Sequence, residues 1–158
     1  MIFEGTIKDN VMMSKTDAGD EEVFHALETA RMADYVNSHK EGIYYELSQS
    51  GANLSGGQKQ RINIARTIFK KSSVYVFDDS FSALDFLTES KLRRALSVEL
   101  KGKTQIIITQ RISTAIHSDR IFVMANGKIV GEGSHDDLIN TCEIYKEIYA
   151  SQMGEVKK

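Results

Sequence analysis

The sequence predicts an α/β protein, with a mainly helical first part followed by a layer built on a parallel sheet. Three observations carry this. Up to residue 70, apolar residues recur at helical spacing. From residue 72, short runs of β-forming residues alternate with helical segments, the order that a parallel sheet requires. Within the first part stands Leu54-Ser55-Gly56-Gly57-Gln58-Lys59-Gln60-Arg61, where two glycines follow a serine and a helical pattern begins at once.

Residues 1–19 start with a short apolar piece and pass into the polar, turn-like Ser14-Lys15-Thr16-Asp17-Ala18-Gly19. Asp20 is a candidate N-cap, with Glu21 and Glu22 in the favourable first turn. Val23, Ala26, Leu27, Ala30 and Ala33 follow at helical spacing, and a second short helix is expected near 33–40. Residues 41–53 read as loop, punctuated by Gly42 and Gly51. After the glycine pair, Ile62, Ala65, Ile68 and Phe69 share one helical face. Val74-Tyr75-Val76-Phe77 is a continuous apolar run, as in a strand buried on both faces. A helix near 87–100 carries Leu92, Ala95, Leu96 and Leu100, and residues 104–109 form a second strand of the buried type. A short helix near 112–117 leads to a strand at 120–125. Asn126-Gly127 marks a tight hairpin, returning antiparallel over 128–132. Ser134 caps a helix near 135–140, and a last helix over 142–152 turns Ile144, Ile148 and Tyr149 inward.

Composition narrows the class. The 158 residues suffice for a modest domain with its own core. Net charge is −2, which points away from nucleic acid. A single cysteine, Cys142, cannot form an internal disulfide and fits a reducing compartment. No apolar run approaches the roughly 18 residues of a membrane span, and the start Met1-Ile2-Phe3-Glu4 has no signal-peptide pattern. His25, His39, His117 and His135 show no metal spacing with Cys142 and read as structural or surface residues.

Three places can carry chemistry. Backbone N–H groups at a helix start, aided by the positive end of the helix dipole, bind anions. The turn Ser55-Gly56-Gly57-Gln58 therefore reads as a phosphate contact, and equally as an N-cap with Ser55 as the capping side chain. The apolar strand ends in Asp78-Asp79, where α/β sheets place their ligands. Two adjacent carboxylates there call for a cation, and Mg²⁺ shared with phosphate oxygens fits. Ser82-Ala83-Leu84-Asp85 opens the next helix, with Ser82 or Asp85 as its cap.

The octet 54–61 resembles the signature motif of the ATP-binding cassette (ABC) family. Asp78-Asp79, at the end of the first strand after the Ser-Gly-Gly-Gln turn, resembles its Walker B, and Ser82-Ala83-Leu84-Asp85 its D-loop. Gln110-Arg111-Ile112-Ser113-Thr114 resembles the switch segment, and 5–11 and 133–138 resemble stretches of exporter cassettes. The resemblance runs nearly end to end but covers only the C-terminal portion of a cassette. It implies residues 1–70 as the helical subdomain and 71–158 as the C-terminal part of a RecA-like P-loop NTPase core. No Gly-x-x-x-x-Gly-Lys-[Ser/Thr] occurs, and no Q-loop glutamine has a matching segment. The sheet is thus expected to leave apolar surface uncovered.

The resemblance further implies ATP and Mg²⁺ as cofactors, with Asp78 on the metal side. Ser55, Gly56, Gly57 and Gln58 would touch ATP held by a second nucleotide-binding domain. Asp79 and Gln110 would take the catalytic positions of this chain's own site. At these two positions the chain departs from the family pattern, which has a glutamate and a histidine. Aspartate is one methylene shorter, drawing the carboxylate back by roughly 1 Å, and such a shift can cost on the order of 100-fold in rate. Glutamine donates a hydrogen bond but carries no proton-dependent charge. The implied protein is an exporter, of multidrug type, and this chain the degenerate half of a heterodimer. Its implied partners are that second domain and a transmembrane domain, at the cytoplasmic face of the membrane, with no nucleic acid. Two alternatives are a truncated, non-catalytic cassette acting through dimer contacts, and a DNA-repair type ABC ATPase. The latter carries coiled-coil heptads that are absent from this sequence.

Overall fold

The computed structural model describes residues 1–13 and 18–154, so most of the turn expected at 14–19 lies outside the described residues. The chain forms two compact units, Met1–Ile106 and Ile107–Lys158.

The first unit opens with β1 (Gly5–Thr6) and α1 (Ile7–Met12). It continues through α2 (Asp20–Thr29), α3 (Ala33–Asn37), β2 (Glu46–Leu47) and α4 (Gly56–Phe69). β3 (Val74–Asp78), α5 (Phe86–Glu99) and the start of β4 (Thr104–Ile108) complete it. β1 pairs antiparallel with β2, and β3 pairs with β4 in a small parallel sheet. Ile7, Val11, Val23, Leu27, Ile62 and Ala65 are buried and knit α1, α2 and α4 into one core.

Helix α1 is absent from the sequence-based expectation, because six residues are too few for periodicity to show. Its start is fixed by a capping box instead: the Thr6 hydroxyl accepts from the Asp9 amide at 3.0 Å, and Asp9 Oδ2 accepts from the Thr6 amide at 2.9 Å. Inside it, the buried Asn10 exchanges hydrogen bonds with the Phe3 backbone, both at 2.9 Å. Arg66 of α4 donates to the Asn10 carbonyl at 2.6 Å and to the Met1 carbonyl at 2.9 Å. The N-terminal segment is thereby tied to the core by polar contacts that an apolar pattern does not reveal.

Asp20 is not the cap of α2. Gly19 holds that place, and Asp20 accepts from Lys8 and from the Tyr44 hydroxyl, each at 2.6 Å. The segment 41–53 is less loop-like than expected, since it holds β2 and the short 3-10 turns Gly42–Tyr44 and Gln49–Gly51. β3 and β4 are not buried on both faces. Tyr75 and Phe77 point inward, while Val74 and Val76 are 51% and 55% exposed and Ile106 is 48% exposed. Side chains alternate across a strand, and only one face of this pair meets the core. The uncovered apolar surface expected from the sequence is therefore present.

The second unit holds α6 (Ile112–Ala115), β5 (Ile121–Ala125), β6 (Lys128–Gly133), α7 (His135–Thr141) and α8 (Glu143–Met153). β5 and β6 form the expected antiparallel hairpin. Asn126 and Gly127 both have positive φ, as a two-residue loop of this hand requires. Ser134 forms a capping box with Asp137. The core gathers Ile112, Ile121, Val123, Leu138, Cys142 and Tyr145. On α8 the expected face is rotated: Tyr145 is buried with Tyr149 beside it, whereas Ile144 and Ile148 face solvent. The cause is aromatic, since His135 bonds the Tyr145 hydroxyl at 2.9 Å and packs against both tyrosine rings.

Two outcomes are expected. Replacing the buried Asn10 by Ala removes its hydrogen bonds to the Phe3 backbone and should cost about 1–3 kcal/mol in urea unfolding; an unchanged midpoint would show the network to be dispensable. The hydroxyls of Ser134 and Thr6 hold Asp137 and Asp9 below the usual carboxylate range, and Thr88 does the same for Asp85. Depressed carboxylates add stability above their unfolded pKa and lose it as pH falls through the folded one. The thermal midpoint should therefore hold near neutrality and fall on acidification through and below the ordinary aspartate range. Asp137→Asn should remove part of that acid sensitivity in a pH series of melts.

Candidate functional site: the start of α4 and the turn after β3

Ser55 is the N-cap of α4. Its hydroxyl accepts from the Gln58 amide at 3.2 Å, and Gln58 Oε1 accepts from the Ser55 amide at 2.7 Å. Both readings of this turn thus meet in one geometry, because the cap leaves the first-turn amides of Gly56 and Gly57 without an intrahelical acceptor. Ser55 and Gly56 are exposed.

The two glycines differ. At Gly56 a Cβ would meet only the Ala83 methyl, at an ordinary 3.5 Å. At Gly57 it would lie 3.1 Å from the Ala83 carbonyl oxygen and 3.2 Å from Leu84 Cδ2. The missing side chain at 57 is what lets α4 lie against the segment 79–85.

That segment is a tight turn. β3 ends at the exposed Asp78, and Asp79 adopts a left-handed backbone with φ +46°. Aspartate tolerates this region better than most residues. The Asp79 carbonyl accepts from the Ser82 amide at 3.3 Å and its hydroxyl at 2.9 Å. Phe81 and Leu84 are buried and anchor the turn, Phe81 against Phe77 with ring centroids 5.6 Å apart. Of the two candidate caps, Asp85 caps α5, accepting from the Thr88 amide at 2.9 Å.

Two residues to which the sequence assigns no role emerge here. Gln60 bonds the 79–83 turn through both ends of its amide. Arg61 donates to the Gly57 carbonyl at 3.3 Å and to the Arg31 carbonyl at 2.5 Å, bracing the first turn of α4. Gln60 lies within the octet, but no property of its type or spacing singles it out.

Gln110 belongs to the second unit and is exposed. There Gln152 of α8 donates to its carbonyl at 2.7 Å and accepts from the Ile112 amide at 2.9 Å. The structure thus brings Gly57, Gln60, Asp79, Ala83 and Leu84 together, with Ser55 capping the same helix start, and holds Gln110 by a splint from α8. Among the described residues, no three histidines, cysteines or acids gather to hold a metal. Asp78 and Asp79 could supply only part of a Mg²⁺ shell, as fits an ion that keeps waters or phosphate oxygens.

The comparisons agree on a family. Residues 2–82 match the family model described as ABC transporter. An uncharacterized ABC transporter ATP-binding protein, YfiB of Bacillus subtilis, is 41% identical over 98% of this chain. A Staphylococcus aureus protein, provisionally named a multidrug export ATP-binding/permease protein, is 38% identical over 96% of it. The chain spans 26% of the length of each of these relatives. Among solved structures, a bacterial Atm1-family ABC exporter with ATP bound superposes with a TM-score of 0.92 at 36% identity. That match covers 98% of this chain and 27% of the exporter. With a fold that is α/β and matches that of an ABC exporter's ATPase, the chain belongs to the ABC transporter family.

Proposed function

We propose that this chain forms the signature-bearing portion of an exporter's ATP-binding cassette, in the degenerate half of a heterodimer. Residues 1–70 act as the helical subdomain and 71–158 as part of the RecA-like core. Ser55, Gly56, Gly57 and Gln58 contact ATP bound to a partner cassette. Asp78 assists Mg²⁺ in this chain's own site, while Asp79 and Gln110 hold the positions of water activation and γ-phosphate contact. Ser82 to Asp85 lie at the dimer interface, and the assembly sits at the cytoplasmic face of a membrane through a transmembrane domain. Among the described residues, no helix is long and apolar enough to cross a membrane.

The observation that carries this reading is the exposed, Ser55-capped helix start seated directly on the Asp79 turn. The helix start that would receive an anion and the backbone turn that follows the strand-end aspartates are in contact within one chain. The names of relatives support the exporter assignment: one is provisionally named a multidrug exporter, and the superposed structure is an exporter with ATP bound.

Ser55→Trp in the assembled transporter tests the reading. It places an indole where the phosphate would rest, and total ATPase activity should fall on the order of 100-fold. Turnover at the parental rate would refute the trans contact. Asp79→Glu lengthens the acid at the water-activating position and should raise hydrolysis in this chain's own site by about tenfold or more. Single-turnover hydrolysis, with the partner's site disabled, reads that change.

A further inference from the structure

We propose that Gln60 is a positioning residue: it locks the start of α4 to the Asp79 turn, so that the surface offered to a partner's nucleotide and the acid of this chain's own site move as one body. This rests on the roles given above to residues 55–58 and Asp79.

The geometry is that of a two-ended clamp. Gln60 Nε2 donates to the Asp79 carbonyl at 3.2 Å and to Ser82 Oγ at 3.0 Å. Gln60 Oε1 accepts from the Ala83 amide at 3.0 Å. Only one orientation of the amide satisfies all three, because the reverse sets donor against donor at Ala83 and acceptor against acceptor at Asp79. Gly57 and Gln60 are three residues apart and lie on one face of α4. Gly57 admits the Ala83 carbonyl, and Gln60 holds the Ala83 N–H. The Ala83 residue is gripped on both sides by a single helix turn.

At the other end of the clamp, the Asp79 carbonyl receives Gln60 together with the amide and hydroxyl of Ser82. Its direction is fixed, and with it the left-handed backbone that aims the exposed Asp79 side chain. A rotation of α4 at its first turn therefore cannot leave Asp79 behind. Reacting groups tolerate shifts of less than about 1 Å, so a clamp of this kind bears on rate.

The test uses Gln60→Ala and Gln60→Glu in the assembled transporter carrying this chain. Glutamate retains the acceptor for Ala83 but loses both donors. Amide hydrogen exchange over residues 79–85 should quicken in Gln60→Ala, while residues 62–69 within α4 keep their protection. In steady-state ATPase assays both variants should lose about tenfold in kcat, with KM little changed. Unchanged exchange in Gln60→Ala overturns the clamp. Quickened exchange with parental kcat overturns its positioning role, as does a rise in KM with kcat retained. If Gln60→Ala fails to assemble, Gln60→Glu carries the kinetic arm, with the same loss expected and parental kcat again overturning the role. Failure of the underlying reading shows separately: Ser55→Trp would then leave turnover intact, whereas exchange at 79–85 reports on the clamp alone.

Discussion

The close approach of Gly57 to Ala83 and Leu84 is the constraint on which the site depends. A helix normally keeps its distance from a neighbouring chain because side chains intervene. Here the side chain is missing at the one position where the backbone of the 79–85 turn comes in. Everything else follows from that contact. Gln60 can reach three backbone and hydroxyl partners only because the helix lies this near. Asp79 can hold a left-handed backbone because its carbonyl is bound from the same side.

The fold around the site is set by local devices as much as by the core. Thr6 with Asp9, Ser55 with Gln58 and Ser134 with Asp137 are three capping boxes in one chain. Asp85 caps α5 with its own carboxylate. Each fixes where a helix begins and the direction from which the chain enters it. For α1 and α7, which are too short to form on propensity, this is what defines them.

Much of this was legible in the sequence, and the gaps have physical causes. The α4 face Ile62, Ala65, Ile68 and Phe69 was readable because a long amphipathic helix repeats its signal four times over. The hairpin at Asn126-Gly127 was readable because few residues accept positive φ. β3 looked doubly buried because an apolar run does not reveal how many faces are covered. On α8 the sequence places Tyr149 inward correctly but not Ile144 and Ile148, because aliphatic residues outweigh tyrosine in hydropathy, whereas the hydrogen bond and ring packing to His135 turn Tyr145 and Tyr149 in. In the site, the glycines, Ser55 and the paired aspartates stand out by type. Gln60 and Gln152 do not, since their partners are backbone groups distant in sequence, which no spacing rule marks.

The capping box at Ser55 has a consequence for how a ligand would be received. A serine hydroxyl offers one proton and two lone pairs. Gln58 takes a lone pair, and the proton remains to be given. An oxygen arriving at this turn meets a side chain whose rotamer is already chosen and a backbone already ordered. The entropy of arranging that contact is thus spent when the helix folds, and little of it is left to be lost on encounter.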